Sequence, residues 1–254
     1  MAKEYLAKNM GNRHVIPSAV TNFTHSMLTG EWDAPNGEPI IFDTQGVLMD
    51  GQHRLHAIIQ ANKDIPLFVI RGIDAAKRKT IDTGKKRTFN HILMMAGEKH
   101  PNILSAGLSW LYSYMNGSIL QRGNHVSFHS FGHAETFLNA HADIRLSLEA
   151  GKKMAPFFLP SLGVFLHYLF AQKDRDQADL FAQRIEAGVT KEECQPIYLL
   201  RERIIKENMN KKHSTAGNIT RAVYGIRAWN AIRSGKDLGS LRFRPEAEYF
   251  PVPL

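Results

Sequence analysis

From Pro17 the apolar residues Val20, Phe23, Met27 and Leu28 recur at helical spacing until Gly30 ends the run, and Ser18 can cap the helix start. "PIIFDTQGVLMDG" then predicts two short strands, 40–42 and 47–49, joined by a turn at Asp43 to Gly46. From Gln52 the spacing of Leu55, Ala57, Ile58, Ile59 and Ala61 suits a helix. The following "IPLFVIRG" is nearly all apolar, which predicts a strand buried on both faces. Together these elements make a β-β-α-β unit.

Beyond "DAAKRKTIDTGKKRT" no stretch alternates, and helical patterns follow at 89–96, 103–115, 131–139, 162–171, 178–187, 197–206 and 219–232. The expected fold class is therefore α+β: an N-terminal domain, 1–97, with a small mixed sheet, and an all-helical domain, 98–254. "PFFLPSLGVFLHYLF" is the most apolar segment, yet it falls short of the ~20 residues that cross a bilayer and reads as a buried helix. The prolines of "FRPEAEYFPVPL" predict an extended tail.

Composition narrows the function classes. Among 254 residues, 43% are hydrophobic and 22% charged, the balance of a globular chain able to bury a sizeable core. The lone Cys194 excludes an internal disulfide framework and makes a reducing cytoplasm the expected compartment, with no membrane partner. A net charge of +8 favours a polyanionic partner, nucleotide or DNA.

The candidate chemistry lies in "VLMDGQHRLHAI", where a strand hands over to a helix through Asp50, Gly51, Gln52, His53 and Arg54. A helix that begins near Gln52 leaves backbone N–H groups pointing outward, and such a start attracts anions. Gly51 permits close backbone approach; Gln52 and His53 add donors; Arg54 offers a planar fork for phosphate oxygens. Asp50 does not belong in a pure phosphate cradle, so it would hold a cation, orient His53 or Arg54, or act on a proton. In the plainer alternative Asp50 caps the helix and Arg54 pairs with it on the surface.

The Asp-Gly-Gln-His-Arg box, with the preceding helix, "GEW", two short strands and the following "IPLFVI", resembles the ParB/sulfiredoxin-like superfamily over about residues 14 to 96. The resemblance implies that Gly51, Gln52, His53 and Arg54 contact nucleotide phosphates, since the equivalent turn grips CTP in partitioning proteins and ATP or ADP in sulfiredoxins and free-serine kinases. It also implies an ATP or other NTP cofactor with Mg2+, and an origin in the bacteriophages and mobile elements where this branch is common. The departures are informative. Gln52 stands where sulfiredoxins carry their catalytic cysteine, which argues against sulfinic-acid repair, and no helix-turn-helix DNA reader is assignable. Free-serine kinases differ from the box at one position, leaving phosphoryl transfer open.

"IDTGKKRT" matches an Asp-x-Gly-x-x-Arg element found in the same branch, so the resemblance adds Asp82, Thr83, Gly84, Lys85 and Arg87 to the phosphate site, with Asp82 and Arg87 facing one pocket. Read from its residues alone, it is equally a solvated basic turn ending in Thr88, a cap for the next helix. Catalysis falls to Asp50, His53 and Asp82, with Asp50 the metal ligand; Asp43, Glu31 and Glu38 are further carboxylates for metal or base work. Non-catalytic DNA binding and metal-dependent nuclease activity are the competing functions. His125, His129 and His133 recur every four residues, but Gly132 and the surrounding composition weaken the helix that a metal site would need. Arg221, Arg227 and Arg233, six apart, are candidates for DNA backbone contacts.

Overall fold

The computed structural model describes residues 1–81, 87–121, 128–209 and 215–254. The chain forms two compact units, one of residues 1–87 and 128–136, the other of 88–127 and 137–254.

The first unit contains α1 (Ala2–Leu6), α2 (Pro17–Thr29), β1 (Ile40–Asp43), β2 (Leu48–Asp50), α3 (Gln52–Ala61) and β3 (Val69–Ile73). Pro17 rather than Ser18 starts α2: its missing N–H costs nothing in the first turn, and no side chain caps that end. Gly30, left-handed at φ 80°, stops the helix as expected. The sheet runs β2-β1-β3, with β1 antiparallel to β2 and parallel to β3. The expected β-β-α-β order is present.

One expectation fails. The strand at 69–73 is not buried on both faces: Phe68, Val69 and Ile70 are 53%, 39% and 42% exposed. A three-stranded sheet has a single interior position, and β1 occupies it with Ile40 and Phe42 nearly inaccessible to solvent. An apolar string therefore identified a strand but not its place in the sheet.

Helix α3 joins two apolar clusters. Ala57 and Ala61 pack with Val20 and Met27 of α2, while Leu55 packs with Ile40, Phe42 and Leu48 of the sheet. The entry to α3 is tight. Gly51 has φ 103°, and a Cβ there would lie 2.4 Å from Ile40 Cδ1. The turn thus requires glycine for its backbone conformation and for the closeness of the strand behind it.

The second unit is helical: α4 (Phe89–Met95), α5 (Pro101–Met115), the part of α6 (Phe131–Ala140) from residue 137 on, α7 (Leu148–Lys153), α8 (Pro160–Ala171), α9 (Arg175–Ala187), α10 (Lys191–Met209) and α11 (Thr215–Arg233). Helix α6 is followed by a 3-10 turn at Ala142–Ser147. Pro196 accounts for the break in α10, where Cys194 leaves helical geometry at φ −161° and ψ 86°. Helix α8, from the most apolar segment, is central, and Leu162 to Tyr168 are all buried. Glycines let its neighbours close in: a Cβ on Gly163 would meet the Gly151 carbonyl oxygen at 2.8 Å, and one on Gly107 would meet Val164 Cγ1 at 3.1 Å. Phe170 of α8 stacks on Trp229 of α11 at 4.4 Å. Among the described residues, no helix is long and apolar enough to cross a membrane.

Gly51→Ala is expected to destabilise the first unit by about 2 kcal/mol, combining a left-handed residue with a displaced Ile40. Urea denaturation checks this, and an unchanged midpoint would show that the turn relaxes freely.

Candidate functional site

The strand-to-helix turn brings Asp50, Gly51, Gln52, His53 and Arg54 together, but their side chains point to work other than that expected. Arg54 is buried. Its guanidinium donates to Glu38 Oε2 at 2.5 Å, to the Pro39 carbonyl at 2.7 Å and to Asp50 Oδ2 at 2.9 Å. The Asp50–Arg54 pair of the plainer reading therefore exists, although inside the fold rather than on its surface, and Asp50 does not cap α3. Arg54 Nε is buried without a hydrogen-bond partner.

Gln52 is also buried. Its Oε1 accepts from Asn9 Nδ2 at 2.9 Å, and its Nε2 donates to the Arg13 carbonyl at 2.9 Å. His53 Nε2 accepts the Ile16 backbone N–H at 3.0 Å, which puts the proton of the neutral ring on Nδ1. Asn12 Nδ2 donates to the Leu48 carbonyl at 2.8 Å, and Arg78 Nη2 donates to the same oxygen at 2.9 Å. Residues 9–16 thus lie as a strap against the first residue of β2 and the start of α3, tied down in part by Gln52 and His53 of the box. Asn9, Asn12, Arg13, Glu38 and Arg78 complete this network; of these, sequence reasoning had singled out only Glu38. The mostly polar run "NMGNRH" before the helix, with Gly11 in its middle, was the available signal, because a polar segment with no period of its own needs side-chain partners for its backbone.

Helix α3 starts at Gln52 with Gly51 as its cap residue, and Gly51 has no side chain to cap the positive end of the helix.

The remaining candidates are dispersed. Asp82, Thr83, Gly84 and Lys85 lie outside the described residues; Arg87 is exposed. Thr88 is the N-cap of α4, as expected, with its N–H donated to His91 Nδ1 at 3.2 Å. Asp43 is a turn-former, its Oδ1 accepting from the Gln45 and Val47 N–H groups, both at 2.8 Å. Glu31 accepts from the Ser130 hydroxyl. His125 lies outside the described residues, while His129 and His133 meet His25, which the four-residue spacing did not include. Among the described residues, no three His, Cys, Asp or Glu side chains are placed to hold a metal ion.

The three arginines proposed for DNA contacts are engaged within the helical unit. Arg221 is buried and donates to Asn208 Oδ1 at 2.6 Å, Arg227 pairs with Glu248, and Arg233 donates to Asp174 Oδ2 at 2.7 Å.

A second constellation was missed altogether. His167 lies between Ser147 and Asp179, with Nδ1 2.9 Å from Ser147 Oγ and Nε2 2.9 Å from Asp179 Oδ1. With an ionised Asp179, which also accepts from Arg175, the neutral ring must donate from Nε2, and Ser147 must donate to Nδ1. The residue types are those of a hydrolase triad, yet Ser147 and His167 are each 1% exposed, so no acyl group reaches the hydroxyl. Burial, outweighing the attraction of Asp179, holds the imidazole below the ordinary histidine range, and the Arg175 and His167 hydrogen bonds together hold the Asp179 carboxyl low against its own desolvation.

Compared with family models, curated proteins and solved structures, the chain matches none.

Gln52→Ala strands Asn9 and the Arg13 carbonyl, and is expected to cost about 1–2 kcal/mol and to speed proteolysis within residues 9–16. Normal protease resistance there would refute the strap. For His167, the unfolded ring takes up its proton near pH ~6.5 and the folded ring only at lower pH. Between those values the unfolded chain binds more protons, so stability falls as pH drops below ~6.5. The urea midpoint of the wild type should therefore decline from pH 7 to pH 5 more steeply than that of His167→Gln; parallel declines would remove His167 as a cause.

Proposed function

We propose that the chain is an NTP-binding protein of the ParB/sulfiredoxin-like kind, acting in a DNA-related process through Mg2+-dependent phosphoryl transfer or nucleotide hydrolysis. The observation that carries this reading is the α3 start, a glycine-led turn from strand to helix without a side-chain cap. In it the phosphates lie at the glycine-led start of α3, where the helix dipole is positive. The side chains of Gln52 and His53 shape the turn by holding residues 9–16, a positioning role rather than direct phosphate contact.

Arg54 contributes a guanidinium that Glu38 and Asp50 already neutralise. Glu38 is the exposed partner, its side chain 62% accessible, so an incoming phosphate competes with Glu38 rather than with the less accessible Asp50. Asp50 is then the carboxylate nearest the anion and the candidate for holding Mg2+ or accepting a proton. Asp82 and Arg87, together with Thr83, Gly84 and Lys85, form the second half of the proposed site.

Thermal shift with ATP, ADP, CTP, GTP and duplex DNA, each with and without Mg2+, tests the proposal, because a ligand of the folded state raises its melting temperature. A triphosphate should stabilise the protein, and Glu38→Gln should tighten that binding several-fold by calorimetry. Absence of stabilisation by every nucleotide would overturn it, and salt-sensitive stabilisation by duplex DNA alone would favour a non-catalytic DNA binder. Phosphate release separates turnover from binding.

A further inference from the structure

Three imidazoles converge within the first unit, away from the α3 turn. His25 of α2 and His129 have ring centroids 4.7 Å apart, His129 and His133 are 5.6 Å apart with planes within 8°, and His25 and His133 are 6.1 Å apart. His129 and His133 belong to residues 128–136, a segment remote in sequence that completes this unit.

The surrounding contacts make this a latch. Ser130 donates its hydroxyl to Glu31 and accepts the His133 N–H at 2.9 Å, while His129 Nδ1 shares a 3.3 Å contact with Asn22 Oδ1. A Cβ on Gly132 would touch Glu31 Cγ at 3.4 Å, so the segment lies close against the loop that follows α2. Every one of these contacts joins the segment internally or to residues 22–31. Neutral imidazoles can stack as flat, uncharged rings; imidazolium ions at the same spacing repel one another.

We propose that residues 128–136 are fastened to α2 by a histidine stack that holds while His129 is neutral and opens when that ring takes up a proton. The ionisable groups bearing on His129 are His25 from α2, His133 from its own segment and Glu31 from the loop after α2. Of these only Glu31 favours the imidazolium, and Glu31 is already engaged by Ser130. Burial first, then the two neighbouring imidazoles, hold His129 below the ordinary histidine range. His129 in the folded stack therefore binds a proton less readily than in the free segment. The hold of the stack is complete above pH ~6.5 and weakens as pH falls below that value.

Hydrogen exchange on the full chain, corrected for the chemical exchange rate at each pH, tests the latch. Protection of peptides spanning 128–136 should fall several-fold from pH 7.5 to pH 5.5, while α3 peptides change much less. His25→Phe keeps a flat ring but removes a neighbour whose charge opposes protonation of His129, and should retain most protection at pH 5.5. Equal protection of 128–136 at the two pH values, or a loss shared equally with α3, overturns the proposal. So does a variant that folds and loses protection as the wild type does. If His25→Phe does not fold, the wild-type comparison decides alone.

Discussion

The first unit is organised around one buried positive charge. A guanidinium taken out of water without partners is costly, and the Arg54 group is compensated by two carboxylates and a carbonyl contributed from different parts of the chain. Glu38 and Pro39 lie on the loop before β1, Asp50 ends β2, and Arg54 itself sits in the first turn of α3. Their hydrogen bonds fasten loop, strand and helix at one point, which sets the direction in which α3 leaves the sheet. From there Leu55 reaches one apolar cluster and Ala57 and Ala61 the other.

That arrangement defines what the turn can offer chemically. Two carboxylates against the Arg54 guanidinium leave no surplus positive charge on that group, so the proposed attraction for an anion rests on the helix start. The structural use of the box and the proposed ligand-binding one are compatible because they call on different groups: side-chain amide and imidazole groups hold the strap of residues 9–16, and the proposed phosphate site is the start of α3. Glu38 connects the two uses, since it is both a partner of the buried charge and the exposed group that an anion would meet.

The helical unit illustrates how little a basic composition reveals about a surface. Arg221, Arg227 and Arg233 each have an acceptor within their own unit, two of them carboxylates, so the helix presents no bare row of guanidiniums. Close packing around α8 depends instead on Gly107, Gly151 and Gly163, whose missing side chains let backbones approach. The Ser147–His167–Asp179 chain belongs to the same interior. Its hydrogen bonds satisfy a buried imidazole, and its inaccessibility separates it from a nucleophilic site with the same residue types.

Periodicity alone determined the identity and order of most elements here, including the paired strands, the helix after Gly51 and the succession of helices from Phe89 to Arg233, because spacing of apolar residues reflects which face each element must bury. It missed the short α1 and α7, which carry too few residues to display a period. The box was legible as a special turn, since Asp-Gly followed by polar residues at a helix start has few bland uses. Its partners were not legible. Which carboxylates answer Arg54, that Gln52 and His53 grip residues 9–16, that His25 joins His129 and His133, and that the apolar β3 lies at an edge were decided only by tertiary structure. Each depends on residues distant in sequence meeting in space, and a linear pattern records the demand for a partner without recording which partner meets it.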